Sequence, residues 1–407
     1  MLKIQEFISC FDDILEAYKY LRSNLNIDVS IHTLEDGDTK HNVALLKPGQ
    51  RADLADPLVR EANCLILDDD AEVFAKAWNR PYVAGEADQL PDDFGLTGAI
   101  CEEVPDGELV VIYNVEGTWF IGTADSVDGM NYLPGMLLPT STYDNEVKQR
   151  LSRNSTRWDS SLKNMNPLMC FVFNFVSPSA NSVMPILMSE LYLTGVINLE
   201  NDREVSNGML QAIADKMGVA RSHWSEINSA SALAQRIYNM RALAPGLMLR
   251  DINDHRVFIP NPIHKAVKCA KESGDRVRPT HIAKILQVCR DRADVMAITA
   301  AYTNYTPLLE LLQKVRDDLV KEVLLLWGVA RHQISAANFA STINHHPLKY
   351  LLFMRRNDPS TSLRSEVRAI KPIKLTRIAE NKWEKEYVSA SKLLKFAGGS
   401  NGDSETG

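Results

Sequence analysis

Apolar positions recur at three- and four-residue steps near the start of the chain, where Phe7, Phe11, Ile14, Tyr18 and Leu21 fall on one face. That period predicts an amphipathic helix over 3–22. The pattern then changes to short apolar runs at 43–47, 64–68, 109–115 and 118–122, which read as strands. Only Glu116-Gly117 separates the last two, so they predict a hairpin with a two-residue turn. Trp119 and Phe120 then point to opposite faces and supply core to each. Further strands are expected at 169–176, 247–251 and 256–259, and helices at 204–217 and 229–242, with Ser229 or Ser231 as a cap for the second. Beyond Asn261-Pro262 only helical periods appear, over 279–298 and 306–330. In the second of these, Leu308, Leu311, Leu312, Val315, Leu319, Val323 and Leu326 form one apolar stripe. The order predicts the α+β class: an α+β domain over 1–265, an all-helical domain over 266–399 and a disordered tail at 400–407.

Composition narrows the picture little. The chain has 407 residues, 45% hydrophobic and 24% charged, as expected for a globular protein of two domains. No apolar run reaches membrane-spanning length. The first residues mix acids into the apolar pattern and lack a signal-peptide cleavage site, so a cytoplasmic protein is expected. The six cysteines are scattered without a Cys-x-x-Cys pair, which argues for reduced thiols and against a zinc site.

Charge is more telling. The net charge of −7 is not that of a general nucleic-acid binder, but its distribution is uneven. Residues 81–147 hold thirteen carboxylates and no Lys, Arg or His. Residues 355–399 hold eleven Lys and Arg against five carboxylates. Arg355, Arg356, Arg364, Arg368, Lys371 and Lys374 are therefore candidates for phosphate contacts, with Tyr350, Phe353 and Trp383 available for stacking. A second basic cluster runs from Lys265 to Lys284. Glu102, Glu103, Asp106 and Glu108 could offer oxygen ligands to a divalent cation, but carboxylates at a strand-to-turn junction are usually solvated, and so are those of Asp68-Asp69-Asp70. His332, His345 and His346 lack a metal-ligand spacing. No metal site is expected.

Five segments in order carry a resemblance: REANCLILDDDAEVFAKAWNRPYVAGE (60–86), ICEEVPDGELVVIYNVEGTWFIGTADSVDG (100–129), FVFNFVSPSANSVM (171–184), APGLMLRDINDHRVFIPNP (244–262) and HHPLKYLLFMRRNDPSTSL (345–363). Together the chain resembles the RNA ligases of the T-even phage type, members of the covalent nucleotidyltransferases that act in tRNA repair. The resemblance implies an antiparallel-sheet nucleotidyltransferase domain, a helical C-terminal domain and a bacterial or phage-infected cytoplasm. It also marks departures. Val104 stands where the family has its nucleophilic lysine, in Val104-Pro105-Asp106-Gly107. Asn174 and Pro245 replace the two motif glutamates, Phe258 and Pro260 replace the paired lysines of the last motif, and Ala124 replaces the arginine of Thr-Arg-Gly. Asp106, Gly107 and Gly246 remain as scaffold.

The family's reaction begins when a lysine amine attacks the α-phosphorus of ATP, which requires a lone pair that valine lacks. Phe258 and Pro260 cannot neutralise the phosphates as charge develops, and Glu102, Glu103, Asp106 and Glu108 would repel them, at about 1 to 4 kcal/mol per close pair. Lys76, Lys265 and Lys268 are the lysines that could replace the lost one, and all three read more simply as surface or nucleic-acid-facing residues. The expectation is a pseudo-ligase that serves as an RNA-binding or scaffolding module, with a protein partner as a further possibility and no cofactor. The alternatives are an active ATP-dependent RNA ligase with a relocated nucleophile, needing ATP and Mg²⁺, and a structural component of a larger assembly.

Overall fold

The computed structural model describes the chain except for residues 37–38, 86–89, 92, 134–140, 155–156, 179–181 and 395–407. The tail expected at 400–407 lies outside the described residues. The fold is α+β, with antiparallel sheets followed by helices. It divides into two compact units, one of residues 1–240 and 244–261, the other of 241–243 and 262–407.

The first unit holds three sheets. Strands β1 (Ile27–Asp36), β2 (Thr39–Pro48), β3 (Leu65–Leu67) and β4 (Val73–Ala75) form one in that order. With β5 (Tyr82–Val83), β6 (Ala99–Glu103), β7 (Glu108–Val115), β8 (Thr118–Thr123), β9 (Met169–Val176), β10 (Glu190–Asn198), β11 (Arg203–Glu204), β12 (Trp224–Ile227), β13 (Gly246–Arg250) and β14 (Arg256–Pro260), two five-stranded sheets follow. Their orders are β11-β10-β9-β7-β8 and β12-β6-β13-β14-β5.

Alternation explains the layering. On β9, Phe171, Phe173 and Phe175 enter one core with Val110 and Ile112 of β7, beneath the helices Tyr143–Leu151 and Asn207–Met217. Cys170 and Val172 point the other way, joining Val111 and Tyr113 against Val43 and Leu45 of β2. Ala44 and Leu46 of β2 face the N-terminal helices. Strands buried on both faces read as continuous apolar runs, which is why VALLK, LVVIYNV and MCFVFNFV stand out in the sequence. Glu116 and Gly117 take φ of 49° and 99°, the left-handed pair that a two-residue hairpin turn needs. Trp119 packs on Phe171 and Phe120 on Tyr113, one to each face.

Four expected helices change. The helix expected over 3–22 is two, Lys3–Ile8 and Ile14–Asn24, because the Asp13 carboxylate caps the second through Leu15 N at 2.9 Å. The helix expected over 279–298 is likewise Pro279–Val288 and Arg292–Ala301, with Asp291 capping Ala293 N at 2.8 Å. The helices expected at 204–217 and 229–242 shorten to Asn207–Met217 and Ala230–Tyr238, the first giving up Glu204 to β11. In the second unit Thr306–Ala330 is the long helix, and it buries the predicted stripe from Leu308 to Val323.

Two glycines permit close approach. A methyl group on Gly107 would lie 2.4 Å from Phe175 O, and one on Gly246 would lie 2.3 Å from Ile259 O. Backbone cannot retreat cheaply, so Gly246→Ala should destabilise the protein by about 1–3 kcal/mol. Gly208, in the helix Asn207–Met217, has nothing within 4 Å of the same position, so Gly208→Ala should be neutral or stabilise by up to about 1 kcal/mol. Urea midpoints of the two variants give the comparison, and equal midpoints would refute the packing argument.

Candidate functional site

The end of β6 and the turn after it sit between the two five-stranded sheets. Val104 N donates to Gly246 O at 3.0 Å, and Asn174 Nδ2 reaches Pro105 O at 3.3 Å. The turn is fixed by Asp106, whose Oδ2 accepts from Ser182 Oγ at 2.8 Å, from Met184 N at 3.2 Å and from Val183 N. Val104 and Asn174 therefore share one small cleft, with Glu102, Glu103, Arg250 and Arg256 also on its walls. Its volume is about 60 Å³, room for a water or two and far below the roughly 300–1,000 Å³ of small-molecule sites.

Not every motif position reaches the cleft. The Phe258 ring packs on Gly246, within 2.6 Å of where a Cβ would stand, and does not line the cavity. Pro260 pairs with Gly246 across β13–β14, and Pro245 O accepts from Asn261 N at 2.8 Å. Ala124 follows β8, in the other sheet, and is also outside the lining.

The charge picture from sequence needs correction. Glu102 was expected to repel phosphate, but its carboxylate is ion-paired with Arg221. Asp106 spends its oxygens on the turn. Glu204 and Arg221 lie outside the quoted segments, and Arg250, Asp251 and Arg256 lie inside one of them at positions the resemblance did not mark. Asp251 Oδ1 accepts from Asn253 N at 2.9 Å and His255 N at 2.8 Å, shaping the turn that puts Arg250 opposite Arg256. Between them, Glu204 of β11 takes Arg256 Nη1 at 2.6 Å and Nη2 at 2.8 Å, and Arg250 Nη1 at 2.8 Å. Burial works to raise the Glu204 pKa, but Arg256 and Arg250 outweigh it and hold the carboxyl below its ordinary value. At Glu102 burial wins over Arg221, and the carboxyl titrates above its ordinary value.

Lys76 is also corrected: it is not a surface lysine. It is buried directly after β4, with Nζ 2.6 Å from Asp202 Oδ1. In the second unit the six basic candidates separate into two groups. Arg355 donates to Thr361 O at 2.6 Å, Arg356 to Ile334 O at 3.2 Å, and Lys374 lies 4.1 Å over the Tyr350 ring. Arg364, Arg368 and Lys371 are exposed on and beside the helix Leu363–Arg368. The aromatics expected to stack on bases are engaged by the chain itself: Tyr350 by Lys374, Phe353 against Phe339 at 5.4 Å, and Trp383 beside Lys382 at 5.8 Å. No cluster of three or more potential metal ligands occurs among the described residues. No helix among them is long and apolar enough to cross a membrane.

No protein-family model matches the chain, and no curated protein does. Solved structures do. An archaeal ATP-dependent RNA ligase (form 2) covers 78% of this chain and 83% of its own at 11% identity and a TM-score of 0.44. A putative ATP-dependent DNA ligase from Aquifex aeolicus covers 92% and 86% at 9% identity and 0.37. A mutant Naegleria gruberi RNA ligase with ATP and Mn covers 60% and 76% at 11% identity and 0.34. These neighbours are ATP-dependent RNA and DNA ligases. Identity and score are both too low for them to assign a role to any residue here.

The Glu204 cluster makes its own prediction. Glu204→Gln removes the bidentate carboxylate of buried Arg256 and leaves Arg250 only Asp254 at 3.6 Å, and should destabilise by about 3–5 kcal/mol. The sign with pH follows from the lowered carboxyl. Its contribution is complete above the ordinary value of 4.5 and is lost as pH falls through the depressed folded value. The wild-type urea midpoint should therefore fall more steeply below pH 4.5 than that of Glu204→Gln; parallel profiles would rule the linkage out.

Proposed function

We propose that this chain is a ligase-like protein without adenylyl-transfer chemistry, retained as a binding module that holds RNA on the exposed cationic face of its helical unit. One observation carries the first half. The cleft at Val104 has a volume of about 60 Å³, and no lysine lines it. A nucleoside triphosphate needs several times that space and an amine with a free lone pair. Its guanidiniums are already taken, since Arg250 and Arg256 bind Glu204. The relocated-nucleophile reading is weakened at Lys76, which is buried with its Nζ 2.6 Å from Asp202 Oδ1. On this reading the chain requires neither ATP nor Mg²⁺.

The second half rests on Arg364, Arg368 and Lys371, which are exposed and make no side-chain ion pair among the described residues. Cations held to water can exchange counterions for phosphates at small desolvation cost. A protein partner at the same face is the competing use.

Two experiments test the halves separately. Incubation with α-labelled ATP and Mg²⁺ should leave the protein unlabelled, and Val104→Lys should stay unlabelled too, because the added amine meets a closed cleft. A stable label on the wild-type chain would overturn the reading. RNA retention by the full chain should weaken with salt, and replacing Arg364, Arg368 and Lys371 by Ala should lower the magnitude of the log–log slope by about 2. Indifference to RNA at low salt would remove the RNA role and leave the protein partner.

A further inference from the structure

A second cavity, of about 640 Å³, opens beside the cleft and shares with it only Trp78 and Arg256. Its walls come from the segment after β4, the β10–β11 turn and the β13–β14 turn. We propose that this cavity is a receptor for a phosphate-monoester dianion, through Arg80 and Arg203. The inference does not rest on the loss of adenylyl transfer, since neither Val104 nor Asn174 lines the cavity.

The argument is one of charge pairing. Five cationic side chains line the cavity (Arg60, Lys76, Arg80, Arg203, Arg256) against three carboxylates, Asp202, Glu204 and Asp254. Each carboxylate is already engaged: Asp202 by Lys76 at 2.6 Å, Glu204 by Arg256 at 2.6 Å, and Asp254 by Arg250 at 3.6 Å, a residue outside the lining. Arg80 and Arg203 have no ion pair among the described residues. Lys76 and Arg256 are thus neutralised, and Arg60 is held by the carbonyls of Leu54 and Arg80 and by the Tyr82 ring, while the guanidiniums of Arg80 and Arg203 at the walls have no such carboxylate.

Ligand class follows from that arrangement. A guanidinium stays charged at any working pH and presents parallel N–H groups that match a tetrahedral oxyanion two at a time. Two of them match a dianion better than a single carboxylate. The volume lies within the range of small-ligand sites. The aromatics argue against recognition of a base, because each already engages a guanidinium. Arg60 lies 3.3 Å over the Tyr82 ring, and Arg256 lies 5.0 Å from the Trp78 ring. The phosphoryl group is then the recognised part, whatever bears it. Arg203 is exposed and Arg80 half-buried, so binding asks for little dehydration of either.

The test is titration calorimetry on the full chain at low salt with three probes: inorganic phosphate, a 5′-phosphorylated oligoribonucleotide and the same oligonucleotide with a 5′-hydroxyl. Binding of inorganic phosphate supports the site and points to a small free ligand. Binding of the phosphorylated oligonucleotide alone supports it and points to a nucleic-acid end. In either case Arg80→Ala with Arg203→Ala should weaken binding at least about tenfold, and Arg80→Lys with Arg203→Lys should recover part of the loss. Thermal melts of the double variants establish that they fold. The proposal is overturned if neither phosphate-bearing probe binds, if the double alanine variant binds as the wild type does, or if the hydroxyl oligonucleotide binds as tightly as its phosphorylated counterpart.

Discussion

Glu204 is the point at which the two five-stranded sheets of the first unit are tied together. It stands on β11, at the edge of one sheet, and its carboxylate is shared by Arg250 and Arg256 of β13 and β14 in the other. Taking these charges out of water costs several kcal/mol per ion, and only close, hydrogen-bonded geometry returns it. That geometry is present here, with three contacts between 2.6 and 2.8 Å. The wider cluster balances as well: Arg221, Arg250 and Arg256 meet Glu102, Glu204 and Asp254. A neutral cluster tolerates burial, whereas one with a charge to spare would draw in water or a counter-ion.

The same balance governs what the space between the sheets can bind. Any anion entering the cleft at Val104 would have to replace Glu204 on its two arginines, and would then leave a buried carboxylate without a partner. The neighbouring cavity is arranged differently. It includes the shared Arg256, paired with Glu204, and the Lys76–Asp202 pair, but Arg80 and Arg203 add positive charge at its walls. In one space the guanidiniums are taken by Glu204; in the other, Arg80 and Arg203 have no ion pair among the described residues.

How much of this was legible in the sequence depended on whether a residue's partners were local. LVVIYNV and MCFVFNFV were readable because both faces of β7 and β9 are buried. β1 shows no continuous apolar run, since it carries Asp28, Ser30 and His32 in alternation, and β12 has four residues with Trp224 exposed. The Asp13 and Asp291 caps fall inside periodic apolar runs, so two helices read as one. The turn residues Asp106 and Gly107 could be identified as scaffold. The ion cluster could not: Glu204 and Arg256 are 52 positions apart and meet only because β11 and β14 end in different sheets. The acidic stretch from 81 to 147 looked repulsive for the same reason, since Arg221, which neutralises Glu102, lies 119 residues from it.

The distinction between a lost activity and a displaced one turns on Lys76 and Glu204 together. On the proposed reading Val104 supplies no nucleophile, but that alone would not keep another amine from serving the cleft. Glu204 occupies both guanidiniums of the cleft but would not by itself exclude a lysine at its rim. Lys76 is the lysine on the walls of the adjoining cavity, and it is buried and committed to Asp202. Freeing its amine would leave Asp202 unpaired, just as displacing Glu204 from its arginines would leave that carboxylate unpaired, so the two changes carry separate electrostatic costs. Under the proposed reading, those two separate costs are what keep the fold to binding and away from phosphoryl chemistry.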